Sequence, residues 1–249
     1  MDKADGVTTW KTLYKIGAVA ASLTVLVMVS EIFITLLPGG GARGEATETV
    51  LDWFTLFREN PLMGLRNLGL INMIAATLSI PMFFALFIAH RKTDKAYAAL
   101  ALIVFLIGTA VYLASNTAFP MLALSGKYAH ASVDDQRSLV AAGETLLAQA
   151  ESHTPGTFVG FLYSEISSIL ISVVMLRNRV FSKASAVVGM VGFGFLFIFE
   201  ILASFVPAWF GIAMVIVMIG GLASITWYGL IARRLFKLAS TSETALVSE

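Results

Sequence analysis

Residues 158–176 read FVGFLYSEISSILISVVML, nineteen positions with a single charged side chain, Glu165, and no proline. An unpaired backbone amide in hydrocarbon costs several kcal/mol, so such a segment closes its hydrogen bonds within itself as an α-helix. At about 20 residues it is long enough to cross a bilayer. Five more stretches repeat the pattern: Ile16 to Leu37, Leu68 to Ala89, Ala96 to Phe119, Ala184 to Val206 and Ala208 to Ala232. Pro207 alone separates the last two, which fits a tight turn at the membrane surface, since the joined run is far too long for one crossing. The expected fold is therefore all-α, a polytopic membrane protein whose six transmembrane helices form a single domain over residues 1–237, followed by a polar tail at 238–249. Composition agrees: 57% of the 249 residues are hydrophobic and 13% charged, where a soluble domain carries roughly a quarter charged.

Lysine and arginine set the expected orientation, because basic residues in short loops stay in the cytoplasm. Lys3, Lys11 and Lys15 precede the first span; Arg91, Lys92 and Lys95 join spans two and three; Arg177, Arg179 and Lys183 join spans four and five; Arg233, Arg234 and Lys237 follow the sixth. The opposite side has only Arg43, Arg58, Arg66, Lys127 and Arg137. Both termini are expected in the cytoplasm. The first span is expected to remain in the mature chain, because it holds Glu31 and the small residues near Gly41 and Ala42 make a poor cleavage site.

The two long outer loops carry patterns of their own. Val50, Leu51, Phe54 and Phe57 share a helical face with Trp53 beside them, and Asn60-Pro61 ends the pattern. Ser132 and Asp135 resemble a capping box, with Leu139, Leu146, Leu147 and Ala150 forming an apolar stripe beyond them. Two amphipathic helices are expected here, either covering an outward-facing cavity or lying against lipid headgroups. Trp10, Trp209, Trp227 and Tyr228, near span ends, fit interfacial anchors.

Three charged residues lie inside the spans, all glutamates: Glu31, Glu165 and Glu200. Each costs roughly 2.5 kcal/mol or more to place at depth. At a 1.5 Å rise per residue they lie about 9, 10 and 9 Å from the outer ends of their spans, in one layer of the outer half of the membrane. Asn72 and Asn116 fall at about the same level, and Ser164, Glu165, Ser168 and Ser172 follow one another along span four. No lysine or arginine lies inside a span. The carboxyls are thus expected to be protonated, to share protons or to hold a cation; a hard ion or a proton suits such oxygen donors better than a soft metal. The competing interpretation is that glutamate and asparagine only bind helices together through interhelical hydrogen bonds.

Much chemistry is excluded. The chain has no cysteine, hence no disulfide, zinc–thiolate or iron–sulfur site. No intramembrane lysine is available for a retinal Schiff base, and His90, His130 and His153 are not paired across spans as a bis-histidine haem requires. Neither a G-x-x-x-x-G-K-[ST] loop nor a G-x-S-x-G elbow is present. No cofactor is expected, and the net charge of +1 gives no reason to expect nucleic acid.

Ser115-Asn116-Thr117-Ala118-Phe119-Pro120-Met121, Ala141-Ala142-Gly143-Glu144, Gly156-Thr157-Phe158 and Val174-Met175-Leu176-Arg177 together resemble a bacterial family of six-span membrane proteins known as a domain of unknown function. The resemblance covers most of the chain and implies a bacterial inner-membrane setting, with no activity attached. From the residues themselves, the leading expectation is a cavity open to the extracytoplasmic side that binds, and can transport, a cation, protons or a small amphiphile. Glu31, Glu165 and Glu200 would be its charged centre, with Asn72, Asn116 and Ser168 as neutral partners. The alternatives are an intramembrane enzyme using paired glutamates as acid and base on a lipid-like substrate, and a sensor or assembly subunit with no ligand site.

Overall fold

A computed structural model describes residues 3–36, 49–151 and 153–247. Leu37, Gly41, Ala42 and Arg43 lie outside the described residues. The chain is all-helical there: α1 (Lys3–Leu36), α2 (Val50–Glu59), α3 (Pro61–Asn67), α4 (Leu70–His90), α5 (Lys95–Ser115), α6 (Ala118–Tyr128), α7 (Val133–Gln149), α8 (Pro155–Arg177), α9 (Lys183–Phe205) and α10 (Phe210–Val247). Six segments are long and apolar enough to span a membrane, on α1, α4, α5 with α6, α8, α9 and α10. Pro207 opens a 3₁₀ turn, Pro207–Trp209, that reverses the chain between α9 and α10, as its fixed φ and missing N–H favour.

The long helices close into a ring in chain order, α1 to α4 to α5 to α8 to α9 to α10 and back to α1. Short connections make consecutive helices antiparallel neighbours, so six crossings leave both termini at one end. Lipid is as apolar as leucine, so packing rather than water exclusion holds such helices together. That packing fills the termini half: Met82, Phe83, Leu86, Phe105, Met175, Trp227 and Leu235 form a buried core, with the Phe83 and Phe105 rings stacked at 3.9 Å. Gly189 makes the closest approach, since a Cβ there would collide with the Ser172 hydroxyl and the Trp227 indole. Leu26, Phe33, Met218 and Leu222 are among the apolar side chains left on the outer surface, where lipid takes the place of water.

At the opposite end α2, α3, α6 and α7 pack on one another as a cap with its own core, Val50, Trp53, Phe54, Phe57, Leu65, Ala118 and Met121. Four loop helices therefore form where two were expected. Asn60 ends α2 and also starts α3, its side chain accepting the Met63 N–H at 3.1 Å. The third span breaks before Phe119: Asn116 is extended (φ −68°, ψ 132°), and its side-chain oxygen accepts the Ala118 N–H that begins α6. The apolar face of α2 meets protein rather than headgroups, and Leu51 lies off it, 45% exposed. Ser132 caps α7 as expected, its hydroxyl accepting the Asp135 N–H. Trp227 and Tyr228 are core residues rather than anchors, because α10 continues well beyond Ala232 and carries both rings away from a helix end. The segment from 238 onward begins as part of that helix.

Candidate functional site

Because the core fills only the termini half of the ring, the cap half is hollow. All six long helices wall a chamber of about 430 Å³. Glu165 of α8 and Glu200 of α9 stand in its wall, both buried. Oε2 of Glu165 has no hydrogen-bond partner. No basic side chain lines the chamber. Its neutral polar groups include Thr24, Asn72, Thr109 and the Ser79–Tyr228 hydroxyl pair at 3.2 Å, while Phe105, Phe161, Phe193, Leu196 and Phe199 supply an apolar remainder. The only charged oxygen donors among its described lining for a hard metal ion, which takes six or more oxygens, are these two carboxyls. Among the described residues no group of three or more His, Asp or Glu is placed to hold one.

A second chamber, of about 460 Å³, lies between this one and the cap. Asn72, Tyr112, Phe161 and Phe199 wall both chambers and so stand between them. Here Glu31 meets Arg66, which reaches in from α3. Nε donates to Glu31 Oε2 at 3.0 Å and Nη2 to Oε1 at 2.9 Å, a two-pronged pair; Nη2 also donates to the Thr35 hydroxyl at 2.6 Å. Asn116 and Tyr112 hold the floor of the outer chamber to the α3–α4 turn. The Asn116 amide donates to the Leu68 carbonyl at 3.0 Å and the Tyr112 hydroxyl to that of Gly69 at 3.3 Å. Gly69 is left-handed (φ 98°), and a Cβ on it would press on the Tyr112 hydroxyl, so only glycine suits the turn.

The family model for a domain of unknown function, DUF4386, matches residues 12–231. The chain belongs to the DUF4386 family. No curated protein and no solved structure matches it.

The six residues expected to share one site are divided in this DUF4386 chain. Glu165 and Glu200 line the inner chamber, Glu31 and Asn116 the outer one, and Asn72 both. Ser168 lines neither; it is buried in the helix packing and returns its hydroxyl to the Ser164 carbonyl at 2.8 Å. Glu31 thus lines a different chamber from Glu165 and Glu200. The expectation that none has a counter-charge is overturned for Glu31, because Arg66 enters the membrane layer from a loop helix rather than from a span. Arg66 had one usable signal: it stands two residues before the expected start of span two, within reach of the layer below. His153 lies at the surface, 3.3 Å from Glu151, and the exposed His130 lines neither chamber.

Proposed function

We propose that this integral membrane protein binds a small amphiphilic cation in the inner chamber, its charge against Glu165 and Glu200 and its apolar body against Phe105, Phe193 and Leu196. The observation that carries this is two buried carboxyls in a chamber walled by all six spans with no basic partner in the wall. Buried carboxyls without a counter-charge require neutralisation, by a proton or by a cation. The ligand enters through the outer chamber and passes between Asn72, Tyr112, Phe161 and Phe199, and release of the bound protons as it arrives couples binding, and any transport, to pH. The titratable groups facing the chamber are Glu165, Glu200, Tyr112 and Tyr228. The setting we propose is a bacterial inner membrane with the termini cytoplasmic and the cap outside, supported by the twelve basic residues at the termini end against five on the other side.

The test is binding of hexyltrimethylammonium to the full chain in nanodiscs. Saturable binding by the wild type is expected, at least about tenfold weaker in Glu165→Gln/Glu200→Gln, since the loss of a paired charge in a buried site is worth at least about 1.4 kcal/mol. Glu31→Gln, which leaves Arg66 uncompensated in the outer chamber, should weaken it less than the double variant does. Equal affinity in the wild type and the double variant refutes the proposal. Turnover of a lipid substrate that disappears in the same double variant would establish the enzymatic alternative instead.

A further inference from the structure

The termini end carries a polar concavity of its own, of about 430 Å³, at the junction of the α8–α9 turn with α10. Arg179, Arg233, Arg234 and Lys237 line it together with Ser182 and Ser185, and no carboxylate does. Two other cations at this end face elsewhere: the Arg91 guanidinium lies 3.7 Å over the Trp10 ring, and Arg177 sits between the Tyr97 ring, at 5.1 Å, and Asp94, at 3.9 Å. Arg234 donates its Nε to the Val180 carbonyl at 2.6 Å, which fixes the turn against α10 and leaves the far edge of its guanidinium beyond that bond. Arg179 and Arg233 are exposed. Val180, Phe181 and Leu230 form the apolar side of the same hollow, and Val187 on α9 and Phe236 on α10 are exposed apolar side chains.

Cationic groups from the α8–α9 turn and from α10, a pair of hydroxyls and an adjoining apolar wall at the level where spans end are the complement of a lipid phosphate with its acyl chains beside it. Arginine is suited to this, presenting paired N–H donors to phosphate oxygens. Basic pockets between spans at the cytoplasmic surface recognise anionic headgroups in this way. We propose that this concavity is a binding site for the phosphodiester headgroup of an anionic phospholipid, independent of the chamber that holds Glu165 and Glu200.

The experiment titrates the purified full chain in detergent with dioleoylphosphatidylglycerol and reads bound lipid by native mass spectrometry, with dioleoylphosphatidylcholine and inorganic phosphate as parallel probes. The variants are Arg179→Gln/Arg233→Gln, the charge-retaining Arg179→Lys/Arg233→Lys, and Lys127→Gln/Arg137→Gln, which removes the same charge from exposed positions at the cap end. Phosphatidylglycerol affinity is expected to fall roughly 30-fold in the glutamine variant, about fivefold per charge removed. The lysine variant should keep most of the affinity and the cap-end variant all of it, with phosphatidylcholine binding weak throughout. Equal loss in the cap-end variant, or none in Arg179→Gln/Arg233→Gln, overturns the proposal. Inorganic phosphate displacing the lipid at equal concentration overturns the lipid and leaves a soluble phosphate as the ligand.

Discussion

Glu31 and Glu165 are the same residue type, each expected from helical rise at about 9 to 10 Å from the outer end of its span, yet they sit in opposite surroundings. Glu31, its side chain 34% exposed, is neutralised inside the protein by a guanidinium that is itself buried and bonded to Thr35 and Asn67 as well. Glu165 is buried, has an oxygen without a partner and shares its chamber with a second carboxyl. Depth alone therefore does not mark a ligand site. A carboxyl paired within the chain ties structure together, here the cap to α1, whereas one left unpaired needs something from outside the chain.

The sharpest way to break this contrast is to remove the partner of Glu31. Arg66→Ala leaves a partly buried carboxylate uncompensated and frees α3 from α1, so it should destabilise the protein by about 2–3 kcal/mol, the buried-pair cost discounted for the exposure of Glu31. Thermal unfolding in detergent should fall by several degrees, and Arg66→Gln/Glu31→Gln should recover part of the loss, because the second substitution removes the orphaned charge. An Arg66→Ala variant as stable as the wild type would remove the structural role assigned to the pair.

Gly69→Ala comes next. The left-handed backbone costs alanine about 1 kcal/mol, and the methyl must push aside the Tyr112 hydroxyl. The same assay should show a smaller loss than for Arg66→Ala. Glu165→Gln should have the smallest effect on the empty protein, within about 1 kcal/mol, because an amide of the same shape has no charge to bury and Oε2 has no bond to lose. A loss as large as that of Arg66→Ala would mean that Glu165 binds helices together, and the contrast between the two glutamates would collapse.

The six spans were legible because bilayer thickness forces their length. Rotation about each helix axis was not legible. It decides that Ser164 and Glu165 face the chamber while Ser168, one turn away, points into helix packing, and it is set by the ring of neighbours rather than by span four itself. The Glu31–Arg66 pair was hidden for another reason, since it joins residues 35 apart across a loop whose helices do not span the membrane. The break at Asn116 is likewise non-local: one side-chain amide closes on a carbonyl 48 residues away while its oxygen starts the next helix.

The most direct test of the central claim is the pH dependence of hexyltrimethylammonium affinity. A cation that displaces protons from Glu165 and Glu200 binds more weakly as pH falls, by up to about tenfold per pH unit for each proton displaced. The wild type and Glu31→Gln should lose affinity together on acidification from pH 8 to pH 5, values roughly spanning the range of a buried carboxyl, and Glu165→Gln/Glu200→Gln should give a weak, flat response. Wild-type affinity that does not change with pH, or an unchanged slope in the double variant, would contradict the account.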